Sequence, residues 1–332
     1  MKKHILAVAA LWLCCIVLSG TVNAAGEWTK VKDSKGIKCY ERSVPGTDLK
    51  EFIGVTTIDA GMEVIGEVLR DVERFPEWIT DCASAKIEKK YDRNTFVIYM
   101  ILNPILIQPR DIVLKNETVY DYENGNARVS FSCTDEVKIP VERKRTRVKV
   151  MSGLYKMEYL GRNKTKFIYK LKVDPAGDIP KKIAFSAMKN YPFDTLKKLN
   201  KMITDSKYAA AAKGSEDERE INTRAVNENI VRKIFSNNMI RVVKDRALLT
   251  EIIAADSENI KSIAASGGSY GAVEKAARDA YFKYIDKIVG DKKTVEKLKG
   301  NKKMIAEITD LVTTSCEANN DTIDGIVARY IR

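Results

Sequence analysis

From Thr29 to Val173 the chain alternates β-branched and aromatic runs with turn residues, and after Ile179-Pro180 it changes to one helical stretch. Strand-like runs cover 29–42 (broken at Gly36), 49–58, 95–102, 111–120, 127–133, 143–151, 155–160 and 166–173. Pro45-Gly46, Asn124-Gly125 and Gly161-Arg162-Asn163 mark turns of the kind that join antiparallel strands. Consecutive hairpins exclude a doubly wound parallel sheet, where each strand pair needs a long crossover. One helix interrupts the strands. Val64, Ile65, Val68, Leu69 and Val72 share a face over 62–72, with Asp59 or Gly61 as cap. In the closing stretch Ile183, Phe185, Met188, Leu196, Leu199 and Met202 supply the apolar stripe of one long helix, and proline suits a helix's first turn. The expected class is α+β: a strongly curved antiparallel sheet around a long helix, followed by an all-α domain. Such a sheet encloses either a solid core or a cavity.

Every proline lies before residue 208. Ala209 to Ser215 is rich in small residues, so 208–214 reads as a linker, and Ser215 with Glu218 fits a capping box that opens a new helix. Residues 25–207 then form one domain and 215–332 a helical one. The second has breaks at Gly267-Gly268, Gly290-Asp291, Gly300-Asn301 and Asn319-Asn320-Asp321, and a stripe of Val273, Ala276, Ala277, Tyr281, Ile285 and Ile288. Ahead of both, Lys2-Lys3, the apolar run Ile5 to Leu18 and the ending Val22-Asn23-Ala24 have the three parts of a secretory signal. The apolar run has 14 residues, short of the ~20 that span a bilayer. Residues 1–24 are expected to be cleaved, leaving a periplasmic or secreted chain. The rival is an uncleaved anchor helix.

The chain has one histidine, His4, and it lies in the leader. Without imidazole there is no Ser-His-Asp or Cys-His nucleophile and no histidine-ligated zinc. Beyond the leader, Cys39, Cys82, Cys133 and Cys316 form no Cys-x-x-Cys pair. That argues against a thiolate metal site and for small buried thiols over bridges. No catalytic residue, metal or cofactor is assigned. Of the net charge of +12, residues 26–207 hold +8, from 34 basic and 26 acidic residues.

Five segments stand in a characteristic order: GIKCYERSVPGTDLKEFIGVTTID, the Trp78-Ile79-Thr80-Asp81 after VLRDVERFPE, Pro109-Arg110-Asp111, IPVERKRTRVKVMSG, and Asp174 to Pro180. Together they make residues 26–207 resemble the START family, the lipid-transfer domains of the steroidogenic acute regulatory type, within the helix-grip superfamily. Gly153-Leu154-Tyr155 departs from that family's Gly-x-Trp. Residues 215–332 carry no such resemblance. The resemblance implies a helix-grip fold with a hydrophobic tunnel for one lipid (sterol, phospholipid or similar), gated by the helix over 180–206.

Strand alternation puts Phe96, Ile98, Met100 and Leu102 on one face, as it does Phe131 with Cys133, and Phe167 with Tyr169 and Leu171. With Phe185, Met188 and Leu199 from the helix, these either line a cavity or fill a core. Val97, Tyr99 and Ile101 make the opposite face nearly as apolar, which leaves the inward register open. Arg110 and Asp111 are strand neighbours and point to opposite faces. Arg110 is either a contact for a lipid head group or half of a structural ion pair with Asp81 or Asp135. Arg143, Arg145, Arg147 and Lys149 recur at period two. They form either a solvated strand face or a dock for an anionic membrane, which Lys181, Lys182, Lys197 and Lys198 could extend. No nucleic-acid motif is present.

The expected function is an exported lipid-binding protein that carries one hydrophobic lipid, with no enzymatic activity. One rival is a helix-grip enzyme of cyclase or hydrolase type, using Asp81, Asp111 or Tyr169 for acid–base work. The other is an interaction protein with a closed, vestigial cavity. The protein partner of the helical region is left open.

Overall fold

The computed structural model describes residues 26–224 apart from Leu106, Glu123, Asn124, Arg162 and Asp178, then the helix Arg246–Ala255 and isolated positions from 258 to 304. The leader over 1–24, the turn residues Asn124 and Arg162, Cys316, and nearly all of the expected helical domain, with its glycine breaks and every member of its Val273 to Ile288 stripe except the buried Ala276, lie outside the described residues.

A hairpin opens the described chain. β1 (Thr29–Ser34) and β2 (Ile37–Ser43) are joined by Lys35 and Gly36, both at positive φ (54° and 72°), the two-residue turn whose twist matches the strands. β3 (Lys50–Ile58) leads to α1 (Met62–Arg70), capped by Gly61, and then through a tight turn to α2 (Phe75–Trp78). β4 (Cys82–Lys90), β5 (Thr95–Leu102), β6 (Arg110–Asp121), β7 (Asn126–Cys133), a two-residue β8 (Thr146–Arg147), β9 (Met151–Gly161) and β10 (Lys164–Val173) follow. The strands form one sheet in the order β1-β2-β3-β10-β9-β7-β6-β5-β4, every neighbour antiparallel, with β8 alongside the start of β6. The helix-grip arrangement expected from the sequence is present. β4 escapes a sequence reading because bulges near Ser84 and Lys89 break its alternation. The strand expected over 143–151 shrinks to Thr146–Arg147.

After β10 come α3 (Lys181–Met188), α4 (Tyr191–Met202), α5 (Ser206–Ala212) and α6 (Glu216–Arg224); α7 (Arg246–Ala255) stands apart in sequence. The single long helix expected after Pro180 is therefore two. They separate at Lys189-Asn190, and Pro192 in the first turn of α4 has no amide hydrogen for a preceding turn. α4 lies directly on β3. A Cβ on Gly54 would stand 2.6 Å from Leu196 Cδ1 and 2.9 Å from Pro192 Cβ. Of the segment expected as a linker over 208–214, residues up to Ala212 are helical in α5, which buries Tyr208 in the main core and buries Ala212 as well. At α6, Ser215 Oγ accepts from the Glu218 amide at 3.1 Å, and the Glu218 carboxylate accepts from the Gly214 amide.

Phe96, Ile98 and Met100 of β5 face the main core. Val97, Tyr99 and Val113 form a second cluster on the outer face, sheltered by Ile101, Val137 and Ile139. Both faces of β5 are apolar because the segment after β7 covers the outer one.

Candidate ligand-binding site

Between the sheet and α3 lies a cavity of about 500 Å³, within the ~300–1,000 Å³ range of small-molecule sites. Ile112 of β6, Met151 of β9, and Leu171 and Val173 of β10 form its sheet side, with Val148 beside them. Ile183, Ala184, Ala187 and Met188 of α3 form its helix side. Pro104, Ile105 and Ile107 of the β5–β6 loop complete the rim. Ile105 is 85% exposed and Ile183 64%, so the cavity opens between them.

Of the lining expected from the sequence, Leu102, Leu171 and Met188 border this space. Phe96, Ile98, Met100, Phe131, Phe167, Tyr169 and Leu199 are buried in the main core and do not border it. Cys133 is half-buried against that core, its thiol 3.6 Å from the Val148 carbonyl. Phe185 turns instead onto Phe52, with ring centroids 6.4 Å apart. The physical reason is aromatic crowding. The Tyr155 ring lies 5.0 Å from Tyr169, 5.3 Å from Phe131, 5.7 Å from Phe167 and 5.9 Å from Trp78. Gly153 faces Phe131 across the β7–β9 pair. A Cβ there would collide with the Phe131 ring and the Lys170 carbonyl. Rings fill this part of the interior, and the space remains under α3.

Arg110 points inward, borders the cavity and is only 5% exposed. Its guanidinium donates to the carbonyls of Gln108, Pro175 (3.4 Å) and Ala176 (3.4 Å). The ion pair expected with Asp81 or Asp135 is not formed. Asp135 is exposed beside Lys138, and Asp81 borders another part of the cavity. Burial pulls the Arg110 pKa below its ordinary value.

Asp111 faces outward yet is fully buried. Arg147 holds it with two bonds, Nε to Oδ1 at 3.0 Å and Nη2 to Oδ2 at 2.7 Å, and the Tyr99 hydroxyl donates at 3.0 Å. Burial alone would raise its pKa. The bonds from Arg147 and Tyr99, with the charges of Arg147 and Arg145, outweigh that and hold it below the ordinary carboxylate value. The basic stripe read at 143–149 is corrected accordingly. Arg147 is spent on Asp111, and Arg145 bonds Tyr99 and Glu142. Arg143 and Lys149 are the exposed members. With only two residues in strand conformation, the period-two face does not form.

At the other side of the cavity stand Thr80, Asp81, Tyr191 and Asp194. The Tyr191 hydroxyl donates to the Thr80 carbonyl at 2.6 Å, and burial holds its pKa well above the ordinary phenol value. Burial likewise raises the Asp81 carboxyl. Asp81 (φ 59°) and Ala176 (φ 56°) are in the left-handed region, a conformation that costs non-glycine residues and collects at binding sites. Cys39 and Cys82 are free and buried, their thiols pushed up to about 12 by desolvation.

The rim loop is the part that sequence reasoning missed. Its signal in the sequence is the apolar run Ile105-Leu106-Ile107 set between Pro104 and Pro109, since proline opposes a central strand there.

The family model of the START domain matches residues 14–207. An uncharacterised protein of Pseudomonas aeruginosa is 31% identical over 188 residues, covering 56% of this chain and 92% of its own. Among solved structures, a fragment of the STAR-related lipid transfer protein from Xanthomonas axonopodis is 26% identical, covers 53% of this chain and 98% of its own, and gives a TM-score of 0.49. Human StAR-related lipid transfer protein 5 is 15% identical, covers 61% of this chain and 97% of its own, and gives 0.47.

Proposed function

The chain belongs to the START domain family, which generally binds lipids and other hydrophobic ligands, and from that premise we propose that it is an exported carrier of one lipid at a time. The observation that supports this reading is the open apolar cavity under α3. A carrier needs a dry space, a way in and no nucleophile. Each CH₂ group moved from water into such a space stabilises the complex by about 0.8 kcal/mol. α3 and α4 form the gate in this reading, and the exposed Ile105 and Ile183 mark the mouth. Lys181 and Lys182, exposed beside Ile183, would attract an anionic membrane surface by about 1 kcal/mol each. Export rests on the leader pattern over 1–24.

Native mass spectrometry of the purified protein, with extraction of its ligand, tests the carrier reading. A lipid recovered unchanged, with saturable transfer between vesicles, is the expected result. A converted product points to an enzyme, and a ligand-free protein that takes up no lipid sinks the proposal. Cell fractionation with intact-mass measurement tests export: the expected species begins at residue 25 and leaves the cytoplasm.

A further inference from the structure

We propose that the ligand is a single-chain amphiphile with an oxyanion head, a carboxylate or a phosphate, which the Arg110 guanidinium receives. This deepens the lipid-binding reading and rests on it.

The first argument is the state of Arg110. It borders the cavity and is 95% buried, being 5% exposed. A guanidinium carries five donors and keeps its proton in proteins, so it remains a cation there. A buried cation is costly unless an anion pairs with it. The other sheltered arginines have such partners. Arg147 meets Asp111 at 2.7 Å, Arg70 meets Glu67 and Asp217 at 2.7 and 2.9 Å, and Arg42 meets Glu51 at 2.6 Å. Among the described residues no carboxylate pairs with Arg110, which has only backbone carbonyls, two of them at 3.4 Å. The left-handed Ala176 and Gly177 shape the turn that brings one of these carbonyls to it. The missing anion is the ligand's head, and charged, forked hydrogen bonds to carboxylate or phosphate are what a guanidinium makes best.

The second argument is size. A cavity of about 500 Å³ falls within the ~300–1,000 Å³ of sites that take one small molecule, which suits one acyl chain and its head. The third is orientation. Asp81 and Asp194 border the cavity as well, and like charge repels an anionic head from them. The head is driven to Arg110, while the tail lies along Ile112, Met151, Leu171 and Met188.

The test is titration of the full chain at mildly alkaline pH with tetradecanoate, tetradecyl phosphate, tetradecanol and inorganic phosphate. Both anionic amphiphiles should bind at least ~10-fold more tightly than the alcohol, the scale of one charged hydrogen-bonding group, and their ranking identifies the head. Arg110→Met should bring them to the alcohol's affinity and leave the alcohol nearly unchanged. Equal binding of anions and alcohol by the native protein overturns the head-group assignment while leaving the lipid reading intact. Binding of neither overturns the single-chain amphiphile, and the lipid reading then stands or falls on the extraction experiment. Inorganic phosphate binding as well as tetradecyl phosphate overturns the amphiphile. The comparison within the native protein decides even if the variant does not fold.

Discussion

Gly153 pairs with Phe131 across β7 and β9, and no side chain fits between that ring and the Lys170 carbonyl. Gly153→Ala should therefore destabilise the fold by the cost of overpacking, ~1–3 kcal/mol, and lower the urea midpoint accordingly; an unchanged midpoint would show slack in the aromatic cluster. Asp111 carries a different prediction. Its carboxyl titrates below the ordinary value in the fold. The stability it contributes is fully present above the unfolded value of ~4 and is lost as pH falls through the lower, folded value. Asp111→Asn should flatten the acid limb of stability in urea titrations, and should cost about 3 kcal/mol at neutral pH because Arg147 is left without its counter-charge. An acid limb identical to that of the native protein would remove Asp111 from the account. The sequence showed that Arg110 and Asp111 point to opposite faces. It did not show that both are buried, because the segment covering Asp111 comes from beyond β7.

At the scale of elements, the hairpins and α1 were legible from period and turn residues, which are local properties. The break between α3 and α4 was present in the text as Pro192, yet the apolar stripe runs through it and hides it. α6 shows the limit most plainly. Its cap, Ser215 with Glu218, is readable in four residues. Its anchor is not. Asp217 accepts from Arg70 at 2.9 Å, Tyr122 at 2.8 Å and Tyr120 at 3.2 Å, and pairs with Arg93 at 3.2 Å, partners far away in the chain. Asp217→Ala should release α6 from α1 at a cost of about 2 kcal/mol, the scale of lost charged hydrogen bonds. Hydrogen exchange over 216–224 should quicken while the sheet stays protected. Unchanged exchange there would show that Ile221 alone holds the helix.

For the whole molecule, the core does not stop at residue 207. Tyr208 and Ile221 are buried in it. A chain ending at Lys207 should melt at least ~5 °C below one ending at Arg224, since each large buried side chain contributes roughly 1.5–3 kcal/mol. Equal melting temperatures would place the domain's end at 207, where the composition changes. From the sequence alone followed the antiparallel sheet and a helical end to the domain, because strand period and turn residues belong to the chain itself. Which part of the interior is filled and which is empty, and which buried arginine lacks an anion, only the tertiary structure decided. Those depend on ring volumes and charges brought together from strands, loops and helices that are distant in sequence.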